Sequence, residues 1–240
     1  MGRRISVKGF TGTTIVKVFD LTVARTGISE KEAISEGLDP LVTYVIAGHH
    51  SGYYPGAKDV FIKTISERST NRLLGCQVIG EEGVDKRIDV MATALYNRMT
   101  QEDLLQLDLA YAPPYSSARD PIIVSGMLAQ NSLAKDWSPI TPLELHEKMI
   151  GGSGYQLIDV RTIKEVQKEG IIPGAMHIPV DEFRDRINEI ERDKEIILYC
   201  AIGLRAYLAG RILTMNGFAN VKVLSGGARL WKYWKNGCKM

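Results

Sequence analysis

The segment Cys200-Ala201-Ile202-Gly203-Leu204-Arg205 brings a nucleophile, a permissive backbone position and a permanent cation into one short stretch. The apolar run Ile196-Ile197-Leu198-Tyr199 leads into it, and helical spacing resumes from Leu204 to Met215. That order is a strand, a loop and a helix start. In an open α/β sheet, ligands bind outside the carboxyl ends of the strands. A helix start offers unpaired backbone N–H groups and the positive end of a dipole. Gly203 allows backbone angles that a side chain forbids, and Arg205 adds a planar charge suited to an oxyanion. The expected product is an anion cradle with the Cys200 sulfur at its centre, a setting that favours the thiolate. A thiolate so placed attacks a group carrying negative charge, such as sulfane sulfur or phosphate.

Four residues separate Cys200 from Arg205. Cysteine phosphatases that use a loop of this type carry five, in a cradle wide enough for phosphate. The shorter spacing favours sulfur transfer. The remaining reactive side chains read as structural. Cys76 lies in the apolar run Leu74-Gly75-Cys76-Gln77-Val78 and belongs to a core. Cys238 sits near the end of the sequence, where chains fray, with a resolving thiol as its alternative role. His49 and His50 supply loop polarity, because no third ligand accompanies them, and no metal site is expected. His177 is expected to be structural rather than basic.

The cysteine loop needs a sheet to hold it, and residues 141–240 supply the pattern. Thr141-Pro142-Leu143-Glu144 is a capping box with proline at the first helical position. Tyr155–Val160, Glu195–Tyr199 and Val221–Leu224 read as strands, and Asp181 opens an amphipathic helix. Gly226-Gly227 leads into a last helix carrying Trp231 and Trp234. Short apolar strands separated by helices predict a parallel sheet with helices on both faces. The polar stretch 132–140, with Pro139, is the expected linker.

Residues 1–131 read as α+β. Thr13–Asp20, Leu41–Ala47, Asp59–Ser66 and Leu73–Ile79 are strand candidates, the third read as alternating with Val60, Ile62 and Ile65 among polar residues. Ser29-Glu30-Lys31-Glu32 is a capping box that starts a short helix ending at Gly37. Helices are expected from Val84 to Met99 and from Pro121 to Gln130, and Tyr111-Ala112-Pro113-Pro114-Tyr115 must be extended.

Composition bounds the function. With 240 residues, 45% hydrophobic and 24% charged, the chain is globular and of a length for two ordinary domains. A net charge of +2 lacks the basic stripe that nucleic acid requires. No apolar run reaches the roughly 20 residues of a membrane helix. The start, Met1-Gly2-Arg3-Arg4, has no apolar core of a secretory signal. The three cysteines are an odd number at no metal spacing, so a reducing cytoplasm is the expected compartment.

Over 141–240 the chain resembles the rhodanese sulfurtransferases. The motifs are the Cys200–Arg205 loop, Leu157-Ile158-Asp159-Val160-Arg161, Glu165, Gly170-Ile171-Ile172-Pro173-Gly174-Ala175-Met176-His177-Ile178-Pro179, and Gly226-Gly227. The resemblance implies Cys200 as the persulfide-carrying nucleophile. It implies that Arg205 and the backbone of Ala201, Ile202, Gly203 and Leu204 hold the sulfur donor, with Asp159 and Arg161 ordering the loop.

Over about Thr11 to Leu133 the chain resembles the dimerisation domain of pyridine nucleotide-disulfide oxidoreductases, the coenzyme A-disulfide reductases with a C-terminal rhodanese domain above all. Gly12–Asp20, Tyr53-Tyr54-Pro55-Gly56-Ala57 and Tyr111–Pro121 carry that likeness. The resemblance implies a homodimer, with Tyr53, Tyr111 and Arg119 facing the coenzyme A thiol region of a partner subunit or packing in an interface. Full-length members bind FAD and NAD(P)H through two N-terminal domains. No Gly-x-Gly-x-x-Gly follows a strand here, and the flavin-side cysteine has no counterpart. The chain therefore looks like the last part of such an enzyme, with no cofactor of its own. Its expected partners are a sulfane-sulfur donor, a thiol acceptor and, on the second reading, a flavin-containing reductase subunit.

Overall fold

The computed structural model describes residues 9–134, 137–152 and 154–237. Cys238 lies outside the described residues. The chain divides between Gln130 and Asn131 into two compact units.

In the first unit, β1 (Thr14–Val18), β2 (Leu21–Gly27), β3 (Pro40–Gly48), β4 (Asp59–Glu67) and β5 (Leu73–Gly80) form one sheet in the order β1-β2-β5-β4-β3. Every pairing is antiparallel. Alternation buries Val60 and Ile62 of β4 until a register shift at Ile65/Ser66 interrupts it. The capping box at Ser29 forms as read and opens α1 (Glu30–Ser35). α2 (Val84–Tyr96) and α3 (Pro121–Leu133) bury Ile88, Met91 and Ile122 against Val60, Ile62 and Val78. Each such side chain contributes about 1.5–3 kcal/mol.

β2 has no counterpart among the expected strands. It pairs with β1 through a two-residue turn, Val18 opposite Leu21, with Phe19 at φ 54°. The left-handed turn position is the work that Asn or Gly usually does in such hairpins, so the turn carries no sequence signal.

In the second unit, β6 (Ser138–Ile140), β7 (Tyr155–Asp159), β8 (Met176–His177), β9 (Glu195–Tyr199) and β10 (Val221–Leu224) form a sheet in the order β6-β10-β9-β7-β8. All four pairings are parallel. β6 falls inside the stretch expected to be linker; its pairing with β10 makes it a sheet edge instead. The helices are α4 (Pro142–Gly151), α5 (Ile163–Glu169), α6 (Leu204–Met215) and α7 (Gly227–Gly237). Alternation along β9 divides its side chains between two cores. Ile196 and Leu198 pack with Ala209 and Leu213 of α6, while Ile197 and Tyr199 pack with Leu145 of α4 and Trp231 of α7. Helices thus cover both faces.

The amphipathic helix expected from Asp181 does not form. The N–H groups of Glu182, Phe183, Asp185, Glu189 and Ile190 bond to carbonyls three residues back, giving successive tight turns. This winding sinks Phe183 and Ile190 into the core, and Arg186 braces it with ion pairs to Glu182 and Glu189. No described helix is long and apolar enough to cross a membrane.

Candidate active site

β9 is buried along its whole length between β10 and β7, so the residue after it starts from a fixed point. That residue is Cys200, on the α6 face of the sheet and 1% exposed. The chain then turns through Ala201, Ile202 and Gly203 into α6. The Gly203 N–H donates to the Cys200 sulfur at 3.1 Å. Gly203 holds φ +133°, and a Cβ there would meet nothing within 4 Å. Its backbone angle, not crowding, demands glycine.

Arg205 enters α6 one residue past the start. Its two terminal nitrogens donate to the two oxygens of Glu165, each at 2.6 Å. Glu165 is also the N3 residue of a capping box on α5. Its Oε2 accepts from the Thr162 backbone N–H at 3.0 Å and from the Thr162 hydroxyl at 2.7 Å. The Arg205 guanidinium first, then the Thr162 donors, hold the Glu165 carboxyl at about 2, well below its ordinary 4.5. The same pairing raises Arg205, and the neighbouring Cys200 sulfur raises it further.

The loop is fastened from behind by α7. The Ala228 N–H donates to the Cys200 carbonyl at 2.8 Å, and the Arg229 N–H to the Ala201 carbonyl at 3.1 Å. The approach is close enough that a Cβ on Gly227 would lie 2.8 Å from the Ala201 carbonyl oxygen and nearer still to that of Cys200.

Asp159 and Arg161 stand beside the loop, at the end of the adjacent strand. Asp159 is opposite Tyr199 in register, and the Val160 N–H bonds to the Tyr199 carbonyl. Arg161, 1% exposed, donates to both oxygens of fully buried Asp159, and also to Glu169 and the Gly170 carbonyl. The Tyr199 hydroxyl, pushed up chiefly by burial, accepts from the Ile172 N–H. His177 bonds through Nε2 to the Arg161 carbonyl, a structural position. Cys76 is as buried as Cys200, and burial pushes its thiol far up.

In the first unit, the Tyr53 and Tyr111 hydroxyls meet at 3.4 Å on the surface. Buried Arg87 pins the two loops that carry them. It donates to Asp120, to the His49 carbonyl and to Ser116, while Ser51 bonds to the Ser116 carbonyl. Arg119 is exposed and makes no hydrogen bond or ion pair among the described residues. The rings of His49 and His50 touch at a tilt of 51°, and His49 Nδ1 accepts from the Lys58 N–H. Among the described residues no group of three or more His, Cys, Asp or Glu could hold a metal.

Three contributors to the site are absent from the motif reading as site residues: Glu165 as the partner of Arg205, and Gly227 and Ala228 as the fastening of the loop. The Thr162-x-x-Glu165 capping box was the available signal for the first. For Gly227 the signal was the Gly226-Gly227 pair itself; Ala228 has none, because its partner is a backbone carbonyl distant in sequence.

Comparisons with known proteins agree with this division. The rhodanese-like domain family matches residues 141–233. The dimerisation domain of the pyridine nucleotide-disulphide oxidoreductases matches residues 13–121. The structure of reduced Bacillus anthracis CoADR-RHD is 42% identical with a TM-score of 0.88, over 94% of this chain and 40% of that one. A NAD-dependent persulfide reductase from A. fulgidus is 40% identical with a TM-score of 0.86, over 96% and 41%. Among curated proteins, the coenzyme A disulfide reductase of Staphylococcus epidermidis is 40% identical over 52% of this chain and 28% of its own length. The chain spans less than a third of that curated relative.

Proposed function

From a chain that belongs to the coenzyme A-disulfide reductase/rhodanese fusions through its last two domains, a reductase dimerisation domain and a rhodanese-like domain, we propose a rhodanese-type sulfurtransferase that works through a Cys200 persulfide. The single observation that carries this reading is the sulfur of Cys200, held by the Gly203 N–H beside Arg205 at the carboxyl end of the central strand. The thiolate attacks the outer sulfur of a donor R–S–SH. A bond forms between the Cys200 sulfur and that outer sulfur, the donor S–S bond breaks, and its electron pair leaves on R–S⁻. An acceptor thiolate then attacks the outer sulfur of the Cys200 persulfide, takes it as its own persulfide, and restores the Cys200 thiolate. Arg205 and the helix-start N–H groups stabilise charge on the donor. Asp159 and Arg161 position the loop and touch no reacting atom. The first domain pairs two copies of the chain through a two-fold surface.

The test is the intact mass of the protein after thiosulfate or glutathione persulfide, beside Cys200→Ser. Gain of one sulfur in the parent and none in the variant is the expected result. No gain with either donor refutes stand-alone transfer.

A second reading rests on the Tyr53–Tyr111 pair, exposed yet held in register by the buried Arg87 cluster. Here the chain acts with flavin-containing reductase domains, and the paired phenols complete a thiol site in that partner. FAD retained on co-purification with such a partner supports it. A colourless homodimer that transfers sulfur unaided refutes it.

A further inference from the structure

We propose that Glu165 is a positioning and specificity-determining residue that sets the cradle against dianionic donors such as thiosulfate and in favour of persulfides R–S–SH whose R group is uncharged. This inference rests on the sulfurtransferase reading of Cys200 and concerns which donors that site takes.

The cradle draws its charge from few groups. Ala201, Ile202, Gly203 and Leu204 are uncharged, so Arg205 is the cation that the loop itself brings. Both terminal nitrogens of Arg205 are committed to Glu165 at 2.6 Å. Glu165 is fixed in turn by its two bonds to Thr162, so the carboxylate stays in place. With the Cys200 thiolate counted, the three groups sum to one negative charge. The other buried cation of the neighbourhood, Arg161, is balanced by Asp159 and Glu169. The mouth is apolar: Ile202 is 38% exposed and Leu204 66%.

The donors differ in the charge they bring to such a place. Thiosulfate arrives with two negative charges. Attack on its outer sulfur forms the Cys200 persulfide and expels sulfite, with the electron pair of the broken S–S bond and two negative charges. A persulfide R–S–SH with an uncharged R group brings at most one negative charge and, reacting as R–S–SH, expels R–S⁻, with one. The Glu165 carboxylate, held against Arg205, opposes a dianion in the cradle more than a monoanion. At separations of several ångströms and an effective dielectric near 20–80, the difference amounts to roughly tenfold or more in rate.

The experiment follows sulfur loading of Cys200 by intact mass, in the full chain, with thiosulfate and with the persulfide of N-acetylcysteine methyl ester. Glu165→Gln is the informative variant, because glutamine at N3 preserves the capping box on α5 while removing the charge. The parent is expected to load faster from the persulfide. In Glu165→Gln the thiosulfate-to-persulfide rate ratio is expected to rise about tenfold, chiefly through a lower KM for thiosulfate. Glu165→Asp is expected to return the ratio toward the parent's. A merely structural Glu165 would lower both rates in parallel, and an unchanged ratio overturns the inference. Thiosulfate preferred by the parent, and lost in Arg229→Ala, overturns it too, by placing a second cation in the cradle. No loading of the parent by either donor refutes the sulfurtransferase reading itself, and is distinguished because no variant then has a ratio to compare.

Discussion

Gly227→Ala should disable the cysteine loop without altering any residue in it. The added Cβ would lie 2.8 Å from the Ala201 carbonyl oxygen and closer to that of Cys200, both backbone atoms that cannot swing aside. Gly227 also sits at φ +56°, where an L side chain costs about 1–2 kcal/mol. Relief of the clash must separate α7 from the loop and lose the Ala228 and Arg229 hydrogen bonds to those carbonyls. Each is worth about 1 kcal/mol. Together the effects amount to about 3–4 kcal/mol. Gly203→Ala is the natural comparison. It meets the same kind of backbone strain at φ +133° but has nothing within 4 Å of its Cβ, so it should cost less than Gly227→Ala. Urea unfolding followed by tryptophan fluorescence reads the second unit, because Trp137, Trp231 and Trp234 all lie in it. Sulfur loading of Cys200 measured beside it should fall with the lost stability. A Gly227→Ala protein within about 1 kcal/mol of the parent, loading normally, would refute the fastening of the loop by α7.

Arg161→Leu leaves the fully buried Asp159 carboxylate unpaired and should cost about 3–5 kcal/mol in the same fluorescence transition. Arg87→Leu leaves Asp120 only the Ser116 hydroxyl, the Ile122 N–H and Lys86 at 3.9 Å, and a loss of about 3 kcal/mol should appear in urea unfolding by circular dichroism. Glu165 is held at about 2 against an ordinary 4.5, so its contribution to stability is whole above pH 4.5 and is lost as pH falls toward 2. The Tm gap between the parent and Glu165→Gln should therefore narrow over that window, and a gap that widens would contradict the pairing. Cys76, buried and with its thiol pushed up, should resist iodoacetamide at neutral pH until denaturant is added, as peptide mapping would show.

Much of the fold was written locally. Strands Asp59–Glu67 and Glu195–Tyr199 announce themselves by alternation or by an unbroken apolar run, and Ser29 and Thr141 mark their helix starts by capping boxes. β2 escaped because its turn places Phe19, not Asn or Gly, at a left-handed position. The helix expected at Asp181 failed because spacing alone cannot distinguish a helix from tight turns that bury the same Phe183 and Ile190. Within the site, Cys200, Gly203 and Arg205 were legible since they are neighbours in the chain. Glu165 reaches Arg205 from forty positions away, and its own cap on α5 disguised a second task. The fastening by Ala228 depends on distances that no local pattern encodes.

That fastening orders events in time. A ribosome delivers residues 200–205 well before residues 227–229, with β10 still to be made in between. Until α7 arrives, the Cys200 and Ala201 carbonyls lack the amides that hold them, and the loop closes through a contact distant in sequence. The cysteine loop is thus fastened only after the sheet that supports it has been made.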